Sequence, residues 1–185
     1  PDLVGHRIEK VYSPYPDVWT LKLASRLHVI LISTARKKGL LVSKTRPDNP
    51  LSPSPQVQWW RKRLQKRRII SLHMNWPHRQ LAFGLSSGPE AWLLLDLKKG
   101  MSLESALPAG FDRDPSWPEL KDILSDTTLY RTYPQLTPPL RRTLSQLEIE
   151  EARELLERLK VGQVHHFYGY FTQGRLAEVL PYQRP

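Results

Sequence analysis

The sequence predicts an α+β fold, in which a β-sandwich-type domain over residues 1–110 precedes a small helical part over residues 111–185. Short apolar segments separated by turn residues fill the first half, a pattern typical of antiparallel strands. After Gly100 the apolar residues instead recur at helical spacing behind residues that commonly cap helices. The 185 residues, of which 39% are apolar, are enough to bury a real core.

The strand-like segments are separated by turn and loop signals. The first two flank "SPYPD", which predicts a hairpin, and the next two flank "ARKKG". A Pro-rich loop, "TRPDNPLSPSP", follows them, and each residue before a Pro is pushed away from helix. The predicted strands are "HRIEKVYSPY", "DVWTLKLAS", "LHVILIST", "GLLVSK", "RIISLHMNW", "RQLAFGLS" and "AWLLLDLK".

One helix interrupts these strands, and we expect it over residues 55–66. At 100° per residue, Val57, Trp60 and Leu64 fall on one face, which we expect to be buried. The opposite face combines a tryptophan with three cations: Trp59, Lys62, Arg63 and Lys66.

The second half contains three predicted helix starts. Ser116 with Glu119, and Ser145 with Glu148, have the spacing of a capping box. Thr137 precedes two prolines, which fit the first turn of a helix because the missing N–H has no partner there. The last helix has an apolar stripe, and "HHFYGYFTQGRLAEVLPY" predicts a hairpin turning at "TQG". The stripe is Ile149, Ala152, Leu155, Leu156 and Leu159.

Charge is distributed unevenly along the chain. Residues 18–89 contain 14 Lys/Arg and a single acid, Asp48, whereas residues 90–185 contain 12 Lys/Arg and 14 Asp/Glu. A solvated surface usually mixes the two signs, so a basic half indicates a polyanionic partner. Nucleic acid is the first interpretation; an anionic membrane or a generally basic surface remain alternatives.

The basic residues supply the candidate nucleic-acid contacts, because phosphates are bound by Lys and Arg and bases stack on aromatic rings. Arg141 and Arg142 are added because they follow Thr137 in the first turns of a helix, where free N–H groups favour phosphate. The candidates are Arg36, Lys37, Lys38, Lys44, Arg46, Trp59, Lys62, Arg63, Lys66, Arg67, Arg141 and Arg142.

A further candidate group lies in "MNWPHRQ", where Asn, Pro and polar residues separate two apolar stretches. Such residues predict a tight turn, and Pro77 stiffens it. We expect Trp76, His78 and Arg79 to face the nucleic acid, by stacking, hydrogen bonding and phosphate binding respectively.

Other chemistries find little support. The chain has no Cys, so disulfides, thiolate metal sites and Cys nucleophiles are excluded. "GLSSG" has the string of a nucleophile elbow but is followed by a strand-like segment, which favours a hairpin turn. His165 and His166 point to opposite faces of a strand and have no neighbouring acids. We expect no enzyme activity, cofactor, metal or small-molecule substrate.

No apolar run reaches the roughly 20 residues that span a bilayer, and the start of the sequence lacks the apolar region of a signal peptide. We therefore expect a cytoplasmic protein that does not bind membranes.

Several segments resemble the N-terminal domain of the NFACT family, the RqcH-like and fibronectin-binding protein A-like proteins. "VGHRIEKVYSP" is similar to the family's opening, "NPLSPSPQVQWWRKRLQKRRI" to its "NPxxPPxF" segment, and "TPPLRRTL" to a later helix start. His78 and Arg79 match a family "DR" pair, with His in place of Asp. The likeness spans most of the chain and is strongest over residues 4–80.

The resemblance implies an N-domain similar to that of formamidopyrimidine-type DNA glycosylases, followed by a helix-hairpin-helix-like module. It also implies binding to tRNA and to stalled large ribosomal subunits during ribosome-associated quality control. Family chains continue into coiled-coil helices and a further nucleic-acid-binding domain, so further domains of the full-length chain are expected partners.

Two other functions remain open. Pro1 followed by Asp2 is similar to the Pro-Glu terminus with which formamidopyrimidine-type glycosylases attack the sugar, although the zinc-finger cysteines common in that class are absent. The family's older name points instead to a fibronectin-binding surface adhesin.

Overall fold

The computed structural model describes residues 2–163 and 166–184 of the chain. The chain forms two compact units that divide between Arg113 and Asp114. The architecture is α+β, with antiparallel sheets and a few helices. Among the described residues, no helix is long and apolar enough to cross a bilayer.

Residues 2–113 of the first unit form two four-stranded antiparallel sheets, in each of which neighbouring strands are consecutive in sequence. The first sheet comprises β1 (Ile8–Tyr15), β2 (Val18–Leu23), β3 (His28–Ser33) and β4 (Lys38–Ser43). The helix α1 (Pro55–Leu64) separates it from the second sheet, which comprises β5 (Ile69–Asn75), β6 (Gln80–Leu85), β7 (Trp92–Asp96) and β8 (Gly100–Glu104). The seven predicted strands and α1 are thus confirmed, with α1 ending two residues earlier than expected.

Strand β8 was not predicted, although Met101 and Leu103 alternate with Gly100, Ser102 and Glu104. Its position is set by the turn before it, where the Asp96 carboxylate accepts hydrogen bonds from the N–H groups of Lys98 (2.6 Å) and Lys99 (3.0 Å). This turn brings Gly100 opposite Asp96 and aligns β8 with β7.

Both sheets and α1 bury apolar side chains in one core. Val57, Trp60 and Leu64 are buried, as the helical spacing predicted, and Trp60 packs edge-on to Trp19 with ring centres 6.1 Å apart. Because this face of α1 is fixed in the core, the opposite face of the helix is turned outward. The fully buried side chains of this core include Ile8, Leu21, Leu23, Leu31, Leu64, Ile69, Phe83, Leu93 and Leu95.

In the second unit, residues 114–163 and 166–184 form three α-helices, a short 3-10 helix and a hairpin around their own apolar core. The elements are α2 (Leu120–Ser125), the 3-10 helix (Leu129–Arg131), α3 (Pro138–Gln146), α4 (Ile149–Lys160), β9 (Tyr168–Thr172) and β10 (Arg175–Leu180). The hairpin turns at Gln173 and Gly174, both with positive φ, as "TQG" predicted. Thr137 caps α3 as expected, since its side chain accepts the N–H of Leu140.

Both predicted capping boxes are wrong. Helix α2 begins after Glu119, whose extended conformation (ψ 153°) follows Pro118. The residue before a proline avoids helical angles, so Trp117 and Ser116 stay outside α2. Ser145 lies inside α3 and donates its hydroxyl to the carbonyl of Arg142 at 2.8 Å.

The apolar stripe of α4 is confirmed except at its first residue. Ala152 and Leu156 are buried and Leu155 and Leu159 pack against the same core, whereas Ile149 is 63% exposed. Ile149 is the first residue of α4, one turn beyond the part of the stripe that reaches the core.

Candidate nucleic-acid interface

The outward face of α1 presents a tryptophan covered by an arginine. Trp59 is 44% exposed, and the guanidinium carbon of Arg63 lies 3.7 Å from the centre of its ring. Lys62 and Lys66 are exposed. Lys66 follows the end of the helix in the left-handed region (φ 70°). Because Arg63 holds one face of the indole by a cation–π contact, this surface combines positive charge with a flat aromatic group.

A second basic group lies at the turn between β3 and β4, where Arg36, Lys37 and Lys38 are all exposed. The Thr34 hydroxyl closes this turn by accepting the N–H of Lys37 (3.0 Å) and donating to its carbonyl (2.9 Å). The cations therefore project from a turn whose backbone is locally held.

Lys44 and Arg46 follow β4 and are exposed. The guanidinium carbon of Arg46 lies 4.7 Å from the centre of the Tyr12 ring, and that of Arg61 lies 5.3 Å from the same centre. The sequence shows the basic run that begins at Arg61, but it does not indicate Tyr12. No local pattern indicates that residues 12, 46 and 61 meet, because the contact depends on how α1 packs on β1.

Arg67, which was predicted to contact nucleic acid, is buried and therefore does not belong to the exposed surface. Its side chain is only 8% exposed and donates to the carbonyls of Ser86 (3.0 Å) and Glu90 (2.6 Å). Burial lowers the pKa of the guanidinium, against the opposing effect of Glu90. Gly88 makes room for it, since a Cβ there would approach the guanidinium carbon to 3.0 Å. Arg67 thus ties the β6–β7 loop to the strand that follows α1.

The two candidates on α3 also differ from each other. Arg141 is partly buried and donates to the carbonyls of Ile123 and Leu124, both at 3.0 Å. These carbonyls belong to the last turn of α2, where they have no partner within the helix. Arg141 therefore holds two helices together, whereas Arg142 is exposed.

The tight turn predicted between β5 and β6 is confirmed at residues 76–79. The N–H of Arg79 donates to the carbonyl of Trp76 at 3.0 Å, and Arg79 has a φ of 59°. His78 and Arg79 are exposed, and Trp76 is 44% exposed. The turn therefore directs both polar side chains to solvent.

The candidate cations lack acidic partners. Within residues 2–163 and 166–184, none of them forms an ion pair with a carboxylate, and the ion pairs of the first unit join Lys22 to Glu9 and His73 to Asp112. Charges of one sign without neighbouring acids produce a positive potential over the surface that carries them.

The described part of the chain contains no group of three His, Cys, Asp or Glu residues that would hold a metal ion. His165, part of the histidine pair considered above, lies outside the described residues. The string "GLSSG", residues 84–88, ends β6 and begins the loop over residues 86–91 that joins β6 to β7, as the sequence indicated. Ser87 and Gly88 in this loop have positive φ.

No family model and no curated protein sequence matches the chain. Several solved structures match it. They include the N-terminal domain of fibronectin-binding protein PavA from Streptococcus pneumoniae (20% identity, 88% of this chain and 78% of that chain, TM-score 0.48). The N-terminal part of the fibronectin/fibrinogen-binding protein from Streptococcus suis matches at 17% identity over 84% of this chain and 79% of its own, with a TM-score of 0.50.

The fibrinogen-binding protein from Staphylococcus aureus matches at 12% identity over 85% of this chain and 76% of its own, with a TM-score of 0.52. The chain therefore shares its fold with the proteins from Streptococcus suis and Staphylococcus aureus.

Proposed function

We propose that this chain is an RNA-binding domain of the NFACT type. The observation that carries the proposal is the set of exposed cations between residues 36 and 79, none of which is paired with an acid among the described residues. Phosphate contacts from Lys and Arg provide most of the affinity for nucleic acid, and aromatic groups beside them stack on bases. Trp59 with Arg63 and the turn at residues 76–79 supply both kinds of contact.

The partners we propose are tRNA and the large ribosomal subunit, in quality control of stalled nascent chains, and the location is the cytoplasm. These follow from the sequence resemblance to the NFACT family, on which the glycosylase-like N-domain and the helix-hairpin-helix-like module also depend. The role is one of binding, without a reaction of its own.

Salt dependence tests the proposal. Each phosphate neutralised by a cation releases a counterion, so six contacts would weaken binding by roughly 10³-fold between 50 and 200 mM salt. Filter binding of tRNA at several salt concentrations should therefore give a steep linear plot of log affinity against log salt. Undetectable binding at low salt, or binding that salt leaves unchanged, would contradict the proposal.

A second candidate function is binding of fibronectin or fibrinogen, since the structural neighbours bear those names. Surface plasmon resonance with immobilised fibronectin and fibrinogen tests it. Saturable binding that survives 0.5 M salt would favour this function, because the electrostatic attraction of a basic surface is screened at that salt concentration.

The glycosylase alternative depends on Pro1, which lies outside the described residues. A covalent adduct between Pro1 and damaged DNA, trapped with borohydride, would establish it and replace the binding proposal.

A further inference from the structure

An open cleft of about 900 Å³ lies in the first unit. Strand β1, the loop over residues 46–54 and the α1 residues Val57 and Arg61 line it. Three cations and one acid contribute to its wall: Lys10, Arg46, Arg61 and Asp48. Only Arg46 of these belongs to the contacts predicted from the sequence.

The two arginines of the cleft share one aromatic ring. Their guanidinium carbons lie 4.7 Å (Arg46) and 5.3 Å (Arg61) from the centre of the Tyr12 ring. Arg61 is also held by its Nε–H, which donates to the carbonyl of Val11 at 2.9 Å. One nitrogen thus fixes the side chain, and its two terminal nitrogens keep their donors for another group. Lys10 precedes Tyr12 by two residues in β1, so both side chains emerge from the same face of the strand.

The charges of this cleft are not balanced. Asp48 lines it but forms no ion pair with Lys10, Arg46 or Arg61, and none of the three has another acidic partner within the described residues. Cations held close together repel one another, and a bound anion removes that cost. Three positive charges against one negative charge match a phosphate monoester dianion, or two adjacent backbone phosphates, better than a single carboxylate.

The loop that forms one wall is stiff. Pro47, Pro50 and Pro53 restrict its backbone, and the Asn49 side-chain amide donates to the carbonyl of Pro47 at 3.0 Å. Its end is joined to α1, because the Ser54 hydroxyl accepts the N–H of Val57. A wall that is ordered before binding loses little entropy when a ligand enters.

We infer that this cleft is a phosphate-binding site, in which Lys10, Arg46 and Arg61 bind phosphate oxygens and Tyr12 positions the two guanidinium groups. Because the guanidiniums lie over the Tyr12 ring, the ring supports them rather than stacking on a base, so the site reads phosphate and not base identity. The phosphate belongs either to an RNA backbone or to a free phosphate ester. The RNA form deepens the proposed function and rests on it; the free-ester form does not.

The test compares two variants that each remove two positive charges from the first unit. K10Q/R46Q removes them from the cleft. K98Q/K99Q removes them from the exposed turn between β7 and β8, where the N–H groups bound by Asp96 are unaffected. Filter binding with tRNA gives the salt slope of each variant. NMR of the arginine Nε–H signals, with inorganic phosphate or AMP as ligand and NaCl at equal ionic strength as control, reports on the cleft itself.

K10Q/R46Q should reduce the salt slope for tRNA by about two, because each lost phosphate contact removes about one, whereas K98Q/K99Q should leave it unchanged. Phosphate should shift the Arg61 signal saturably in the wild type and in K98Q/K99Q but not in K10Q/R46Q. A phosphate and AMP response without the tRNA effect would support the site and assign it to free phosphate esters.

Equal tRNA slopes for the two variants, together with no phosphate response, would overturn the inference and leave RNA binding by the domain intact. If the wild type fails to bind tRNA, the proposed function is wrong. The NMR titration with phosphate and AMP then determines by itself whether the cleft binds phosphate. Circular dichroism melting confirms that each variant is folded.

Discussion

The guanidinium carbon of Arg63 lies 3.7 Å from the centre of the Trp59 ring. The same ring meets the buried Trp60 edge-on, with ring centres 4.9 Å apart. The Arg63–Trp59 pair brings charge and aromatic surface together within the basic segment over residues 59–68. Since one indole face is covered by the guanidinium, a base would stack on the remaining exposed surface.

Replacing Trp59 with Ala should weaken tRNA binding by about 1–3 kcal/mol, the range measured for loss of a base-stacking aromatic group. The folded state should lose about 0.5–1.5 kcal/mol, because the ring packs edge-on against Trp60. Trp59→Phe is the matched control and should keep most of the affinity. Fluorescence anisotropy with labelled tRNA measures both variants, and equal affinities of Trp59→Ala and wild type would rule out stacking at this position.

Arg67→Met should destabilise the first unit although it removes one charge from an already basic protein. The carbonyls of Ser86 and Glu90 would lose their charged donor, and a hydrogen bond to a charged group contributes about 1.5–3 kcal/mol. Lys66→Gln removes the same charge from an exposed neighbour and should change stability by less than about 0.5 kcal/mol. Urea denaturation measures the difference, and equal stabilities would show that the buried guanidinium contributes nothing.

The turn at residues 76–79 allows binding to be separated from folding. Arg79 has a φ of 59°, a conformation that glycine adopts at no steric cost. The double variant His78→Ala with Arg79→Gly should therefore melt at the wild-type temperature or above it, while its tRNA affinity falls more than twofold. Unchanged tRNA affinity in this folded variant would show that the turn makes no contact with tRNA.

The carboxylate of Asp96 should make stability depend on acid pH. Burial raises its pKa, but hydrogen bonds from Gln80 and from the N–H groups of Lys98 and Lys99 outweigh burial, so the pKa lies below its usual value. The charged form is therefore favoured in the folded state. The ionised carboxylate stabilises the folded state fully at any pH above the pKa of the unfolded chain, about 3.9. This stabilisation is lost as the pH falls through the lower pKa that Asp96 has in the folded state.

Melting temperatures measured between pH 6 and pH 2 test this expectation. Asp96→Asn should be less stable than wild type at pH 6, and the gap should narrow below about pH 3.9. Asp114→Asn, at an exposed position, should follow the wild-type curve. A constant gap between wild type and Asp96→Asn would show that the ionised form of Asp96 is not favoured by folding.

Much of the local structure follows from neighbouring residues alone. The faces of α1, the turn at residues 76–79 and the cap at Thr137 were all predicted, since each depends on side-chain spacing or on hydrogen bonds within a few residues. The start of α2 was wrong because Pro118 outweighs the capping pattern of Ser116 and Glu119.

Composition alone determined that one half of the chain is basic; which of its cations are available to a ligand was decided only by the tertiary structure. Arg67 and Arg141 are bound to carbonyls 17 to 23 residues away along the chain, so their donors are used within the protein. Arg61 joins Arg46 at Tyr12 because α1 packs on β1, which turns an ordinary helix residue into part of a cleft. A charge is a property of the residue type, whereas its partners are fixed by backbone that only folding brings near.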